Sequence, residues 1–187
     1  MRVITVILIG FFVLISCYKI EDDYFIYTIK KGNHSSGNHV SIHNSRKLEC
    51  EVVFTESCIY EIPNDTEFDT NKLIGISDSY SHSTHSVRVG WRYYKGQLEI
   101  LSYVRKNKVI HLQHMCYVEI NQSYFFSVEI KNDRYILICK KVGGEYKPVK
   151  SEVTRTSDYN GIRYKLFPYF GGNNPAPHDI TIKIKYL

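Results

Sequence analysis

Residue types that move protons or hold anions fall close together in the middle of the chain. His82 and His85 stand just ahead of Arg88, Arg92, Tyr94, Glu99, Tyr103 and Arg105. Cleavage of a uronate polymer by elimination needs a cation to neutralise the carboxylate and a Tyr or His in hydrogen-bond reach of the C5 proton. Arg88, His82 and Tyr103 supply those groups. Binding a sugar chain asks for less: tyrosine rings offer flat apolar patches to sugar C–H faces, and Arg donates hydrogen bonds to hydroxyls or carboxylates. Binding therefore leads catalysis. A plainer expectation stands beside both, in which Arg92 pairs with Glu99 across strands, Arg88 stacks on Tyr103 and the whole set is a solvated face.

Other constellations are weaker. The loop from Pro168 to Asp179 carries Tyr169 and His178, and its prolines and glycines specify its path. Such a loop either closes the end of a domain or places those two side chains at a site. Asp78, Glu99, Glu129 and Asp179 are scattered and form no pair of the kind glycosidases use. Asp78 and Asp179 are expected to fix turns through side-chain to backbone hydrogen bonds. His82, His85 and Asp78 are legal metal ligands without a recognised spacing, so neither metal nor cofactor is expected.

The elements that position these groups are strands. Val87, Val89, Trp91 and Tyr93 alternate with Arg88, Gly90, Arg92 and Tyr94, and Leu98, Ile100, Ser102 and Val104 alternate with Glu99, Leu101, Tyr103 and Arg105. With Lys95-Gly96 as a two-residue turn, both apolar sets meet on one face, and a slip of one residue would destroy the match. Gly90 is expected to leave a hollow over Leu101. A second hairpin joins Tyr124–Ile130 to Arg134–Cys139 through Lys131-Asn132-Asp133. Further strands are expected at Tyr24–Ile29, Leu48–Phe54 and Ile180–Tyr186, with loops over Gly32–Asn44 and Pro63–Asn71. No helix is expected beyond the leader. This pattern predicts an all-β, two-sheet antiparallel β-sandwich over residues 24–187.

Residues 1–16 read as a secretion signal: one positive charge, then an apolar run too short to span a membrane. Leu14-Ile15-Ser16-Cys17 resembles the bacterial lipobox, which implies a diacylglycerol lipid on Cys17, a short tether over 17–23 and a place in the bacterial cell envelope. About 170 residues then remain, enough for one domain with a sizeable core. The formal charge of +5, which includes Arg2 of the leader, is mild and does not argue for nucleic acid. Cys50, Cys58, Cys116 and Cys139 show no zinc spacing and fit either two disulfides or buried free thiols.

Three segments carry a resemblance over most of the mature chain. They are Tyr27–Gly32; Asn71–Asp78 running on to His82 and Ser86–Arg92; and Tyr164–Gly172 with Ala176–Ile180. Together they resemble a family of uncharacterised secreted lipoproteins of Bacteroides-like bacteria. The resemblance implies a concanavalin A-like jelly roll and brings no established activity. That fold also hosts glycan-binding modules, glycoside hydrolases and polysaccharide lyases. The chain departs from the enzymes: it has no Gln-Ile-His segment of the lyases and no Glu-x-Asp-x-x-Glu pattern of the jelly-roll glucanases. The resulting expectation is a lipid-anchored protein that binds a polysaccharide or oligosaccharide. A lyase or hydrolase of the same fold is the alternative, and a structural envelope lipoprotein the third.

Overall fold

The structure is a computed structural model that describes residues 20, 21, 23–37, 41–62, 69–145 and 147–187. The expected leader and Cys17, the expected lipid acceptor, lie outside the described residues. Two antiparallel sheets make up the domain, and among the described residues there is no α-helix, only a 3-10 turn at Glu56–Cys58.

The described residues form thirteen strands in chain order: β1 (Ile20–Glu21), β2 (Tyr24–Ile29), β3 (Ser41–Ile42), β4 (Lys47–Phe54), β5 (Asn71–Ser77), β6 (Ser86–Tyr94), β7 (Gln97–Lys106), β8 (Val109–Val118), β9 (Ser123–Ile130), β10 (Arg134–Lys141), β11 (Val149–Thr154), β12 (Tyr164–Leu166) and β13 (Ile180–Tyr186). The first sheet runs β1-β2-β13-β4-β9-β10-β11 and the second β3-β12-β5-β6-β7-β8. The fold is the two-sheet antiparallel β-sandwich that the strand pattern predicts, and the jelly roll that the resemblance implies.

Alternation explains the central elements. In β6 and β7 Val87 pairs with Val104, Val89 with Ser102, Trp91 with Ile100 and Tyr93 with Leu98. Lys95 and Gly96 both take positive φ, 51° and 78°, which is the two-residue turn whose twist suits a hairpin. The apolar faces of the two sheets meet around Trp91. Its ring lies 5.4 Å from Phe54 and 6.2 Å from Phe170 between ring centroids, all three fully buried. The last strand, β13, lies inside the first sheet between β2 and β4.

Several expectations change. Ile20 pairs with Phe25, so sheet pairing begins inside the stretch expected to be a tether. The Gly32–Asn44 loop contains the short strand β3, which pairs with β12. Asp78 does not fix a turn with its side chain: its carboxylate is fully buried and takes hydrogen bonds from Arg155, Arg163 and Tyr135. Asp179 does hold a turn, accepting from the Lys31 N–H at 2.9 Å, and it also pairs with Lys30.

Candidate functional site

The outer face of the second sheet, away from the core, presents Lys72 from β5, Arg88 from β6, and Tyr103 and Arg105 from β7. The loop residues His82, Ser83, Tyr169 and Gly172 complete a cavity of about 260 Å³. A second hollow of about 480 Å³ adjoins it along β12 and shares His82, Arg88 and Tyr169.

Lys72 sits at an irregularity in β5, where the register to β6 shifts between Lys72 and Gly75. Its backbone is tied to the last loop by Lys72 N–H to Tyr169 O at 2.7 Å and Tyr169 N–H to Lys72 O at 2.8 Å. Its ammonium donates to Gly171 O at 2.5 Å and lies 5.2 Å from the Tyr103 ring centroid and 5.4 Å from that of Tyr169. Burial, with repulsion from Arg88, lowers the Lys72 pKa to about 8, against a smaller pull from Asp69.

Arg88 is 8% exposed and donates to Phe167 O at 2.5 Å, while its Nε finds no acceptor among the described residues. Burial, joined by repulsion from Arg105, holds the guanidinium below its ordinary value, yet it remains cationic at neutral pH. Gly75 makes room for it, because a Cβ there would lie 2.8 Å from the Arg88 Cα. Arg105 donates to Ser83 O at 3.4 Å.

His82 is held at the rim. Its N–H donates to the Tyr164 hydroxyl at 2.9 Å, and the two rings meet edge to face. Burial and the charges of Arg88 and Arg105 push its imidazole below the usual value, so it is neutral at physiological pH and able to accept a proton. Asp69 is not a lining residue; its carboxylate accepts from the backbone of Gly172 and Asn174 and so fixes the last loop. Among the described residues the cavity is therefore lined by three cations, Lys72, Arg88 and Arg105, and by no carboxylate.

Of the candidate residues, His82, Arg88, Tyr103, Arg105 and Tyr169 come together. Arg92, Tyr94 and Glu99 lie farther along the same face. There Arg92 Nε donates to Glu99 at 2.6 Å, His114 Nδ1 contacts the other Glu99 oxygen at 2.7 Å, and Tyr94 stacks under Arg92. The cross-strand pair Arg92–Glu99 exists as expected. The face is not a solvated one, however: Glu99 is 6% and Tyr103 3% exposed. Nor does Arg88 stack on Tyr103, since Lys72 occupies that ring. The hollow over Leu101 is filled by Thr70, whose Cγ2 would be 2.8 Å from a Cβ on Gly90.

His85 is outside the cavity; its Nε2 accepts from the Asn107 N–H at 3.3 Å. His178 also lies elsewhere, 2.8 Å from Ser57 O, where it ties the last loop to the 3-10 turn. That loop both closes the sandwich, burying Phe170 and Ala176, and presents Tyr169 to the cavity, stacked on His34 at 5.3 Å. Lys72 is the residue that the sequence reading passed over. Among the described residues no group of acidic, His and Cys side chains is arranged to hold a metal ion.

A larger hollow of about 590 Å³ lies at the β9–β10 turn. Most of its charges are paired, Lys131 with Glu129, Arg134 with Asp133 and Glu152, and Lys150 with Glu152. Arg46, held by the Asn132 and Asn160 amide oxygens, is the one lining cation for which no carboxylate partner is found among the described residues, so the hollow lacks the convergence of cations seen beside Lys72.

No protein-family model matches the chain, and no curated protein sequence is similar to it. Solved structures do resemble it. A protein of unknown function from Saccharomyces cerevisiae superposes with a TM-score of 0.59 at 10% identity, over 92% of this chain and 90% of that one. An alginate lyase from Klebsiella pneumoniae gives 0.58 at 8% identity, over 90% and 81%. An alginate lyase from a Chlorella virus gives 0.55 at 14%, over 91% and 86%. At such identities these likenesses establish the jelly-roll sandwich and nothing finer.

Proposed function

We propose that the chain recognises an acidic polysaccharide by seating a uronate carboxylate in the cavity between Lys72, Arg88 and Arg105. The observation that carries this reading is the convergence of three cations in one recess that no carboxylate lines among the described residues. A carboxylate bound there takes charge-assisted hydrogen bonds in a partly dehydrated setting, where they are worth more than in water. Tyr103 and Tyr169 give the sugar ring apolar surfaces to lie against. The alginate lyases among the similar folds act, by their names, on a uronate polymer, which supports this ligand class.

A second reading, eliminative cleavage, is favoured by the neutral imidazole of His82 in the same cavity. The cations would stabilise the enolate-like charge on the carboxylate while His82 or Tyr103 takes the C5 proton. The C4–O bond then breaks with its electron pair going to the oxygen, which takes a proton from solvent and becomes the hydroxyl of the new reducing end, while a C4–C5 double bond is left on the new non-reducing end. A lipid on Cys17 would hold the domain at a membrane face of the bacterial cell envelope, where such polymers are met. Replacing Cys17 by Ser would then move the protein from the membrane fraction to the soluble one.

Polymannuronate, polygalacturonate and a neutral glucan, each cast in an affinity gel, test the main reading. Retardation by the two uronates and not by the glucan is expected, weakened by salt and by Lys72→Ala. Equal retardation by the glucan, or none by either uronate, would sink it. Absorbance of unsaturated uronate appearing in the same incubations, and lost in His82→Ala, would establish the lyase.

A further inference from the structure

Cys116 and Cys139 come from different sheets and face the same core. In β8 Cys116 stands opposite Ile100 of β7, whose side chain is fully buried, so the two share the inward face. In β10 Cys139 stands opposite Phe126 of β9 and is itself buried. The edges of the two sheets converge here: Ser151 of β11 donates to the Gln113 side chain of β8 at 3.2 Å. The register of β8 against β7 also shifts between His114 and Cys116, leaving Met115 as the extra residue of a bulge. Both cysteines thus point into one core from facing sheets whose edges converge, near enough for each thiol to shift the other.

We propose that Cys116 and Cys139 form a disulfide that staples β8 of the second sheet to β10 of the first when the protein meets a disulfide-bearing oxidant such as oxidised glutathione. The Cys116 thiolate attacks one sulfur of glutathione disulfide, forming a mixed disulfide and releasing one glutathione thiolate. Cys139 loses its proton to solvent and attacks the Cys116 sulfur, releasing the second glutathione. Two protein thiols are oxidised and one glutathione disulfide is reduced to two glutathiones.

The order of attack follows from the surroundings. Cys116 is half-buried and reachable, and the S–H donated by Cys139 holds its thiol below the ordinary value; the same bond, with burial, pushes Cys139 up. The other two described cysteines lack this arrangement. Cys58 gives its S–H to Thr181 O at 3.6 Å, and Cys50 is enclosed in the core. The staple would fix the β8 bulge next to His114, and with it the contact of His114 to Glu99 on the outer face.

Tryptic mapping of the folded full chain, after incubation with oxidised glutathione and alkylation of remaining thiols, decides the matter. Trypsin places Cys116 in the peptide 109–131 and Cys139 in the peptide 135–140. The two peptides are expected as one species that separates on reduction, and the Cys116→Ser protein is expected to return Cys139 alkylated. Recovery of both cysteines alkylated would overturn the proposal. So would glutathione left on Cys116, or Cys139 linked to any other cysteine.

Discussion

Lys72 is the residue on which the acidic-glycan reading turns, because it is both buried and cationic. Truncating it to Ala removes one charge-assisted hydrogen bond, worth about 1.5–3 kcal/mol, so affinity for a uronate oligomer should fall roughly 10- to 100-fold in titration calorimetry. Its pKa near 8 also sets a pH dependence. An anion needs the ammonium form, so affinity should decline as pH rises from 7 to 9, where an ordinary lysine would still be charged. Lys72→Arg should flatten that decline, since a guanidinium keeps its proton. Stability moves the other way. Between about pH 8 and the unfolded lysine value the unfolded chain holds more protons at this position, so the folding penalty for the buried charge is relieved as pH rises. Opposite slopes for affinity and stability would identify Lys72 as the titrating group. Parallel slopes would exclude it.

At the scale of elements, Gly75 positions the site. A Cβ there would strike Val87 O and the Arg88 Cα, so Gly75→Ala should pry β5 from β6 and displace Arg88. A cost of about 1–3 kcal/mol in urea unfolding is expected, with loss of uronate retardation. Gly96→Ala, where the new methyl meets nothing, should cost only about 1 kcal/mol for its positive φ and leave retardation intact. The β6–β7 hairpin was legible in the sequence because one face meets the core and the other does not, which writes an alternation into the residues. Neighbouring strands carry no such code. All seven residues of β5 are buried, since the last loop lies over its outer side, and Val109–His114 of β8 are exposed on both sides. Lys72 was missed for that reason: it stands in a strand without alternation, and its partners Gly171, Tyr103 and Tyr169 are distant in sequence. Arg88, Tyr103 and His82 were found because they belong to or adjoin the legible hairpin, although their burial under the loop was not readable from it.

For the whole molecule, the joint between sheets and loops is the Asp78 cluster. Asp78, just past the end of β5, is fully enclosed and accepts from Arg155 at 2.6 and 3.0 Å, from Arg163 at 3.1 and 3.3 Å and from the Tyr135 hydroxyl at 2.8 Å. One carboxylate thus ties the second sheet to β10 of the first and to the 155–163 segment. A lone carboxylate between two guanidinia is not a neutral set, so its removal leaves two positive groups, each 5% exposed at the side chain, facing one another. Asp78→Ala should therefore cost about 3–5 kcal/mol, the penalty for stranding buried charge. Tyr135→Phe removes only one donor to the carboxylate and should cost about 1–3 kcal/mol. Because Tyr135 acts through Asp78, the two losses should not add: in the double variant the tyrosine change should cost far less than it does alone, giving a coupling of about 1–3 kcal/mol in a double-mutant cycle. Additive losses would mean that Tyr135 supports the fold through its packing, and that the sheets are joined by the apolar core without help from this carboxylate.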